Sequence, residues 1–186
     1  MAGSTAAGEE EMVLRALVAV RRSVPGVRLL MAPRHPERFA EAASLVEAAG
    51  LRGVRRTALS GPWGDEDVLV LDTMGELAQV YSLASVVFVG GSLVPAGGHN
   101  VLEAAVAGKA VIVGPHMQNF QEIAEKFRAE EALLQVRSAE DLAREVISLL
   151  TDEPRRRSLG ERAKSLVDRN RGALRSTIDG LAGLVA

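Results

Sequence analysis

The chain has 186 residues, with 22 Lys and Arg against 24 Asp and Glu for a formal net charge of -2, and no cysteine. Hydrophobic residues make up 47% of it, enough for one buried core, which excludes global disorder. The balanced charge leaves no electrostatic footprint for nucleic acid, and the lack of cysteine excludes disulfides, thiolate metal sites and a cysteine nucleophile while suiting a reducing compartment.

From the N-terminus, residues 1–11 are small, polar and acidic, without the basic and apolar regions of an export signal. Gly3-Ser4-Thr5-Ala6-Ala7-Gly8-Glu9-Glu10 reads as a strand-to-helix turn that has lost its strand; Ser4 or Thr5 would cap the following helix or bond a ligand at its start. Helical patterns cover 9–22, 37–49, 75–83 and 99–107, and short apolar runs at 27–31, 54–59, 68–71, 86–89 and 110–113 are the candidate strands. Arg55-Arg56 interrupts the second of these runs. The others are near-continuously apolar, as strands covered on both faces are. Alternation of this kind predicts an α/β fold, a doubly wound parallel sheet with helices on both faces.

Helices at 119–129, 138–151, 154–169 and 172–184 close the chain. Thr73, Asn119 and Ser138 each stand three residues before a carboxylate, as helix caps do. Residues 77–102 contain no charged side chain and imitate a membrane span, but Gly90, Gly91, Pro95, Gly97 and Gly98 break it, so no transmembrane segment is expected. Arg155-Arg156-Arg157 reads as a solvated helix face, with a membrane-surface contact as the alternative. With no repeat or linker, a single domain is expected.

In an open parallel sheet, ligands bind beyond the carboxyl ends of the strands, and the unusual residues of this chain concentrate there. Pro33-Arg34-His35-Pro36 follows the first apolar run, Asp72-Thr73 the third, Gly90-Gly91-Ser92 the fourth and Gly114-Pro115-His116 the fifth. Gly97-Gly98-His99-Asn100 leads into a helix, where exposed N–H groups would accept a phosphate; a plain glycine turn is the alternative. Glu103, one turn inside, is placed for sugar hydroxyls, and Arg34 offers a guanidinium fork to an anion. His35, His99 and His116 have no metal-ligand spacing and no cysteine partners, so no metal and no cofactor are expected. There is no G-x-S-x-G nucleophile elbow.

Taken together, six segments in order resemble the 3-deoxy-D-manno-octulosonic acid (Kdo) transferases. They are Ala2-Gly3-Ser4-Thr5 with Gly8-Glu9-Glu10; Pro33-Arg34-His35-Pro36-Glu37-Arg38-Phe39; Asp72-Thr73-Met74-Gly75-Glu76-Leu77; Phe88-Val89-Gly90-Gly91-Ser92-Leu93; Gly97-Gly98-His99-Asn100 with Leu102-Glu103; and Gly114-Pro115-His116 with Asn119-Phe120 and Glu122-Ile123. The resemblance implies a GT-B glycosyltransferase that moves Kdo from CMP-Kdo to a lipid A precursor, lipid IVA, in lipopolysaccharide biosynthesis. It places the enzyme on the cytoplasmic face of the bacterial inner membrane, peripherally associated. It further implies an inverting, metal-independent enzyme whose general base belongs to an N-terminal acceptor domain absent from this chain, so that no catalytic base is assigned here and the isolated chain is expected to bind without transferring.

Carried over by motif, Arg34 and His35 would border the nucleotide, Gly97, Gly98, His99 and Asn100 would face its phosphate, and Glu103 would hold the ribose. Ser4, Thr5, Gly90, Gly91, Ser92, His116 and Asn119 are further candidate contacts. The chain departs from the family at Ala6, where a histidine is usual, and at Val101 and Ala104, where prolines are usual. The family's Ala-Gly-Ser-Thr turn normally follows a strand, so the first strand is expected to be missing, with an unfilled sheet position, marginal stability or self-association as the result. The competing readings are a GT-B enzyme using a UDP-sugar and a non-catalytic nucleotide-binding module.

Overall fold

A computed structural model describes the backbone of residues 1–185 and the side chains of residues 1–170. Seven parallel strands form one sheet: β1 (Ala2–Thr5), β2 (Leu29–Pro33), β3 (Gly53–Arg55), β4 (Val68–Val70), β5 (Val86–Val89), β6 (Ala110–Val113) and β7 (Leu134–Gln135). Their order is β3-β4-β2-β1-β5-β6-β7. The chain starts at the centre, winds to one edge, then crosses β1 and winds to the other. The reversal lies between β1 and β5, where the loops leaving their carboxyl ends diverge to opposite sides and open a crevice.

Period-2 alternation fills both faces of the sheet. Val86 and Phe88 of β5 and Ala110 and Ile112 of β6 point into one core, with α1 (Glu9–Ser23), α2 (Phe39–Ala48) and α6 (Ala139–Thr151) over it. Val87, Val89, Val111 and Val113 point into the other, under α4 (Leu102–Val106), α5 (Gln121–Ala129) and α7 (Glu153–Val185). A short helix α3 (Leu77–Val80) runs into a 3-10 turn, Tyr81–Leu83, that lays Tyr81 against the second core. Val87, Val89, Val111 and Ile112 are fully buried, and each such side chain contributes about 1.5–3 kcal/mol.

The sequence leaves the central sheet position to a strand before Gly3. The structure fills it with Ala2–Thr5, paired to β2 through Ala2↔Met31 and to β5 through Ala2↔Phe88 and Gly3↔Val89. The strand is short and small because Gly3 lies against the Tyr81 ring: a Cβ there would come within 2.6 Å of the hydroxyl oxygen. The Met1 backbone nitrogen extends the ladder by donating to the Val86 carbonyl at 2.9 Å. With that position occupied, the reason given for marginal stability falls away.

Other elements shift in detail. The first apolar run pairs two residues later than expected, and the second is a strand only over Gly53–Arg55 before a 3-10 turn at Arg56–Ala58. Helix 99–107 shortens to Leu102–Val106, and the two last helices are one continuous α7. Of the three expected caps, Ser138 accepts from the Asp141 N–H at 3.1 Å. Thr73 does not cap, since α3 begins only at Leu77, and its hydroxyl is enclosed without a partner; Asn119 does not cap α5. Among the described residues, the basic triplet has protein partners: Arg155 pairs with Glu145, Arg156 donates to the Leu149 and Leu150 carbonyls at the end of α6, and Arg157 pairs with Glu153. No helix among the described residues is long and apolar enough to cross a membrane.

Candidate functional site

The crevice between β1 and β5 is built by two buried carboxylates at the start of α1. Glu9 and Glu10 lie one turn before Val13 and Leu14, on the apolar stripe that faces the sheet, and both are fully buried. Glu9 accepts from the N–H groups of Ala6 (3.1 Å), Gly91 (2.7 Å), Ser92 (3.0 Å) and Leu93 (2.9 Å). Burial pushes its carboxyl above the ordinary range and these donors pull it back; only the ionised form satisfies all four. Glu10 accepts from the Thr5 hydroxyl at 3.2 Å and from two nitrogens of the Arg38 guanidinium, at 3.3 and 3.0 Å. This fork ties the start of α1 to the loop after β2.

The 90–93 loop is therefore closed. Its amides point at Glu9, and the Ser92 hydroxyl donates to the Val89 carbonyl while accepting from the Gly114 N–H at 2.8 Å. The Ser92 carbonyl accepts from the His116 N–H at 2.9 Å, lacing the ends of β5 and β6. Gly90 has no room for a side chain: a Cβ would meet the Ser4 carbonyl oxygen at 2.5 Å and Glu9 Oε2 at 2.7 Å. Thr5, Gly90, Gly91 and Ser92 thus shape the crevice from within. At the end of β4, Asp72 is likewise spent on Thr57 and Arg55.

The 97–101 loop is open. It rests on its neighbours through Gly98 N–H to the Gly91 carbonyl (2.7 Å) and Asn119 N–H to the Gly97 carbonyl (2.9 Å). Gly98, at φ 74, packs on the His116 carbonyl and Met117, where a side chain would meet both a strained backbone and backbone atoms. Asn119 braces this loop from beneath, its side chain reaching the Ala96 carbonyl at 3.5 Å. Asn100 Oδ1 accepts from the Leu102 N–H at 2.9 Å and turns the chain into α4. The N–H groups of His99, Asn100 and Val101 have no protein acceptor among the described residues.

Unspent side chains surround that loop. Arg34 is exposed and makes no ion pair among the described residues; its own N–H donates to the Thr5 carbonyl at 3.0 Å, fixing it beside β1. His99 is half-buried over Gly91, and burial, then Arg34 and then His35, lower its proton affinity. His35 is exposed, 3.9 Å from Glu37, and His116 is half-exposed. Glu103 is exposed at the start of α4; it adds to the burial that pushes the Tyr81 hydroxyl up. Ser4 stands at φ 56, a conformation that costs a non-glycine residue about 1–2 kcal/mol, and strain of this kind gathers at functional sites. A guanidinium, two imidazoles and a run of free amides suit a phosphate, and the Glu103 carboxylate beyond them suits hydroxyl donors.

Concavity alone points elsewhere. A cavity of about 680 Å³ is lined by Val27, Leu30, Trp63 and Leu83. Arg28 and Arg56 stand in its otherwise largely apolar lining, whereas the convergent polar groups lie at the carboxyl ends of the strands, where open α/β sheets bind ligands. No group of three His, Cys, Asp or Glu side chains among the described residues converges as a metal site. The sequence motifs include Glu9, Glu10 and Arg38 without assigning them a role, and Tyr81 lies outside them. The signal for the two glutamates was present: they extend the spacing of Val13, Leu14 and Leu17 into the first turn.

Residues 65–166, more than half of the chain, match the family model described as glycosyl transferases group 1. The chain belongs to that family. This group 1 glycosyl transferase chain is 41% identical, over 96% of its length, to a 3-deoxy-D-manno-octulosonic acid transferase of Bordetella pertussis. It is 38% identical, again over 96%, to the transferase of the same name from Haemophilus influenzae. It spans 42% of each of these relatives. Among solved structures it is similar to the C-terminal CMP-Kdo binding domain of WaaA from Acinetobacter baumannii, with 35% identity and a TM-score of 0.84, covering 89% of this chain and 86% of that one. The architecture is accordingly the Rossmann-like C-terminal domain of a GT-B glycosyltransferase.

Proposed function

We propose that the chain is the donor-binding half of a Kdo transferase and that the open loop holds CMP-Kdo. The observation that carries this is the grouping, at the β1–β5 switch point, of the unpaired Arg34, the free amides of residues 99–101 and the exposed Glu103. The phosphate lies on the amides with Arg34 across from them, and Glu103 accepts from the ribose hydroxyls. His35, His99 and Asn100 border the nucleotide, with Gly97 and Gly98 giving the backbone its close approach.

In the transfer step, the bond between the Kdo anomeric carbon and the phosphate oxygen breaks, and the electron pair leaves with CMP. Charge thus grows on the phosphate, where positioned N–H donors and a guanidinium stabilise it. The acceptor hydroxyl, on a lipid A precursor, forms the new bond and gives its proton to a base of the acceptor-binding half. That half, and peripheral attachment to the inner membrane, belong to the proposal through the resemblance to whole Kdo transferases.

Calorimetry with CMP, UMP and UDP tests the reading. CMP is expected to bind best, and Arg34→Ala and Glu103→Ala are each expected to lose about 1.5–3 kcal/mol of affinity, the worth of a hydrogen bond to a charged group, with the melting temperature unchanged. Preference for a uridine nucleotide overturns the CMP assignment. Absence of nucleotide binding favours a non-catalytic module.

A further inference from the structure

Arg34 and Arg38 stand at the two ends of the turn that follows β2, in opposite circumstances. Arg34 is exposed, whereas all three guanidinium nitrogens of Arg38 are taken by two carboxylates. Nε and Nη2 donate to Glu10 at 3.3 and 3.0 Å, and Nη1 and Nη2 donate to Glu41 at 3.0 and 3.3 Å. No donor of Arg38 is left over for a ligand anion. The bonds around it close a ring. Thr5, at the end of β1, accepts from the Arg34 N–H at 3.0 Å through its carbonyl and donates through its hydroxyl to the buried Glu10 at 3.2 Å. Arg38, held by Glu10, returns its own N–H to the His35 carbonyl at 3.0 Å. Residues 34–38 are therefore pinned at one end to β1 and at the other to the start of α1, next to the switch point. The pinned turn keeps Arg34 beside the open loop: after burial, the charge of Arg34 does most to lower the proton affinity of His99.

We propose that Arg38 is a positioning residue: its fork with Glu10 fixes the 34–38 turn so that the Arg34 guanidinium is set against the phosphate site before a donor arrives. The inference rests on the donor-site reading above and adds to it a residue that touches no ligand. A guanidinium on a loose turn has to be ordered at the moment of binding, and that ordering lowers affinity. The buried ring does the ordering beforehand, during folding. It also makes Arg38 hard to replace, because Glu10 without it is a buried charge with no counter-charge.

The test is calorimetry of CMP on two changes to the pair, each made with and without Arg34→Ala. Arg38→Lys keeps a charge opposite Glu10 but loses the fork, and Glu10→Gln with Arg38→Gln removes both charges together. Each is expected to weaken CMP about tenfold beside Arg34 and about twofold or less in the Arg34→Ala background, since residues that act as a unit are not additive. A role confined to the stability of the fold gives the same loss in both backgrounds. Coupling is reciprocal, so CMP is also expected to slow hydrogen exchange at the Arg38 Nε–H of the wild-type chain, a measurement that needs no variant to fold. Unchanged CMP affinity in a folded variant, equal losses in the two backgrounds, or exchange that saturating CMP leaves as it was overturns the proposal. Any of these in a chain that binds CMP defeats only the role of Arg38. A wild-type chain that binds no CMP defeats the donor-site reading and this inference with it.

Discussion

Two glycine loops leave the same region of the sheet four residues apart, and they serve opposite ends. The 90–93 loop turns the amides of residues 91–93 onto Glu9, whereas in the 97–101 loop the amides of residues 99–101 have no protein acceptor among the described residues. Composition does not separate them. What separates them is a buried carboxylate some 80 residues away in the chain, which satisfies one set of donors and not the other.

The sharpest way to break this contrast is to put a methyl group in each loop. Gly90→Ala drives a Cβ into the Ser4 carbonyl and Glu9, and is expected to cost about 3 kcal/mol or more in denaturant unfolding. Gly97→Ala meets the end of the Asn119 side chain at φ 89, and is expected to cost about 1–2 kcal/mol from backbone strain while weakening CMP. Equal losses of stability would erase the distinction. Next in size is Ser92→Ala, which leaves the Gly114 N–H without its acceptor and is expected to cost about 1–3 kcal/mol with CMP affinity retained. A Ser92→Ala chain of normal stability that no longer bound CMP would place Ser92 in the open site instead.

The smallest effect is a slope. His99 takes its proton less readily in the folded chain than at its ordinary value of 6.5, so the unfolded chain binds more protons just below that pH. The histidine's contribution is therefore complete above 6.5 and is lost as pH falls toward the folded value. His99→Asn is expected to flatten that part of the curve of stability against pH, measured by denaturant midpoints. A curve unchanged by the substitution would remove His99 from the cationic cluster.

The buried sheet was legible where apolar runs are long enough to cover both faces: residues 86–89 and 110–113 coincide with β5 and β6. β1 was not, because a strand clamped between two others needs no apolar run of its own, and Gly3 must be small beneath Tyr81. β7, of two residues, carries too short a pattern to see. In the candidate site, Arg34 and Glu103 could be nominated from chemistry and position. The division of labour between the loops could not, since hydrogen bonds spanning 82 to 84 residues leave no local trace.

Those same spans bear on how the domain assembles. Closing a loop of that length is paid in chain entropy before any of the three Glu9 bonds forms, so the clamp on residues 91–93 is completed only when β5 docks on β1. The cleft is then a late product of folding, and a nucleotide held there raises the stability of the whole domain by mass action. Hydrogen exchange at Gly91, Ser92 and Leu93 would follow global unfolding, and occupancy of the neighbouring loop would slow it in step.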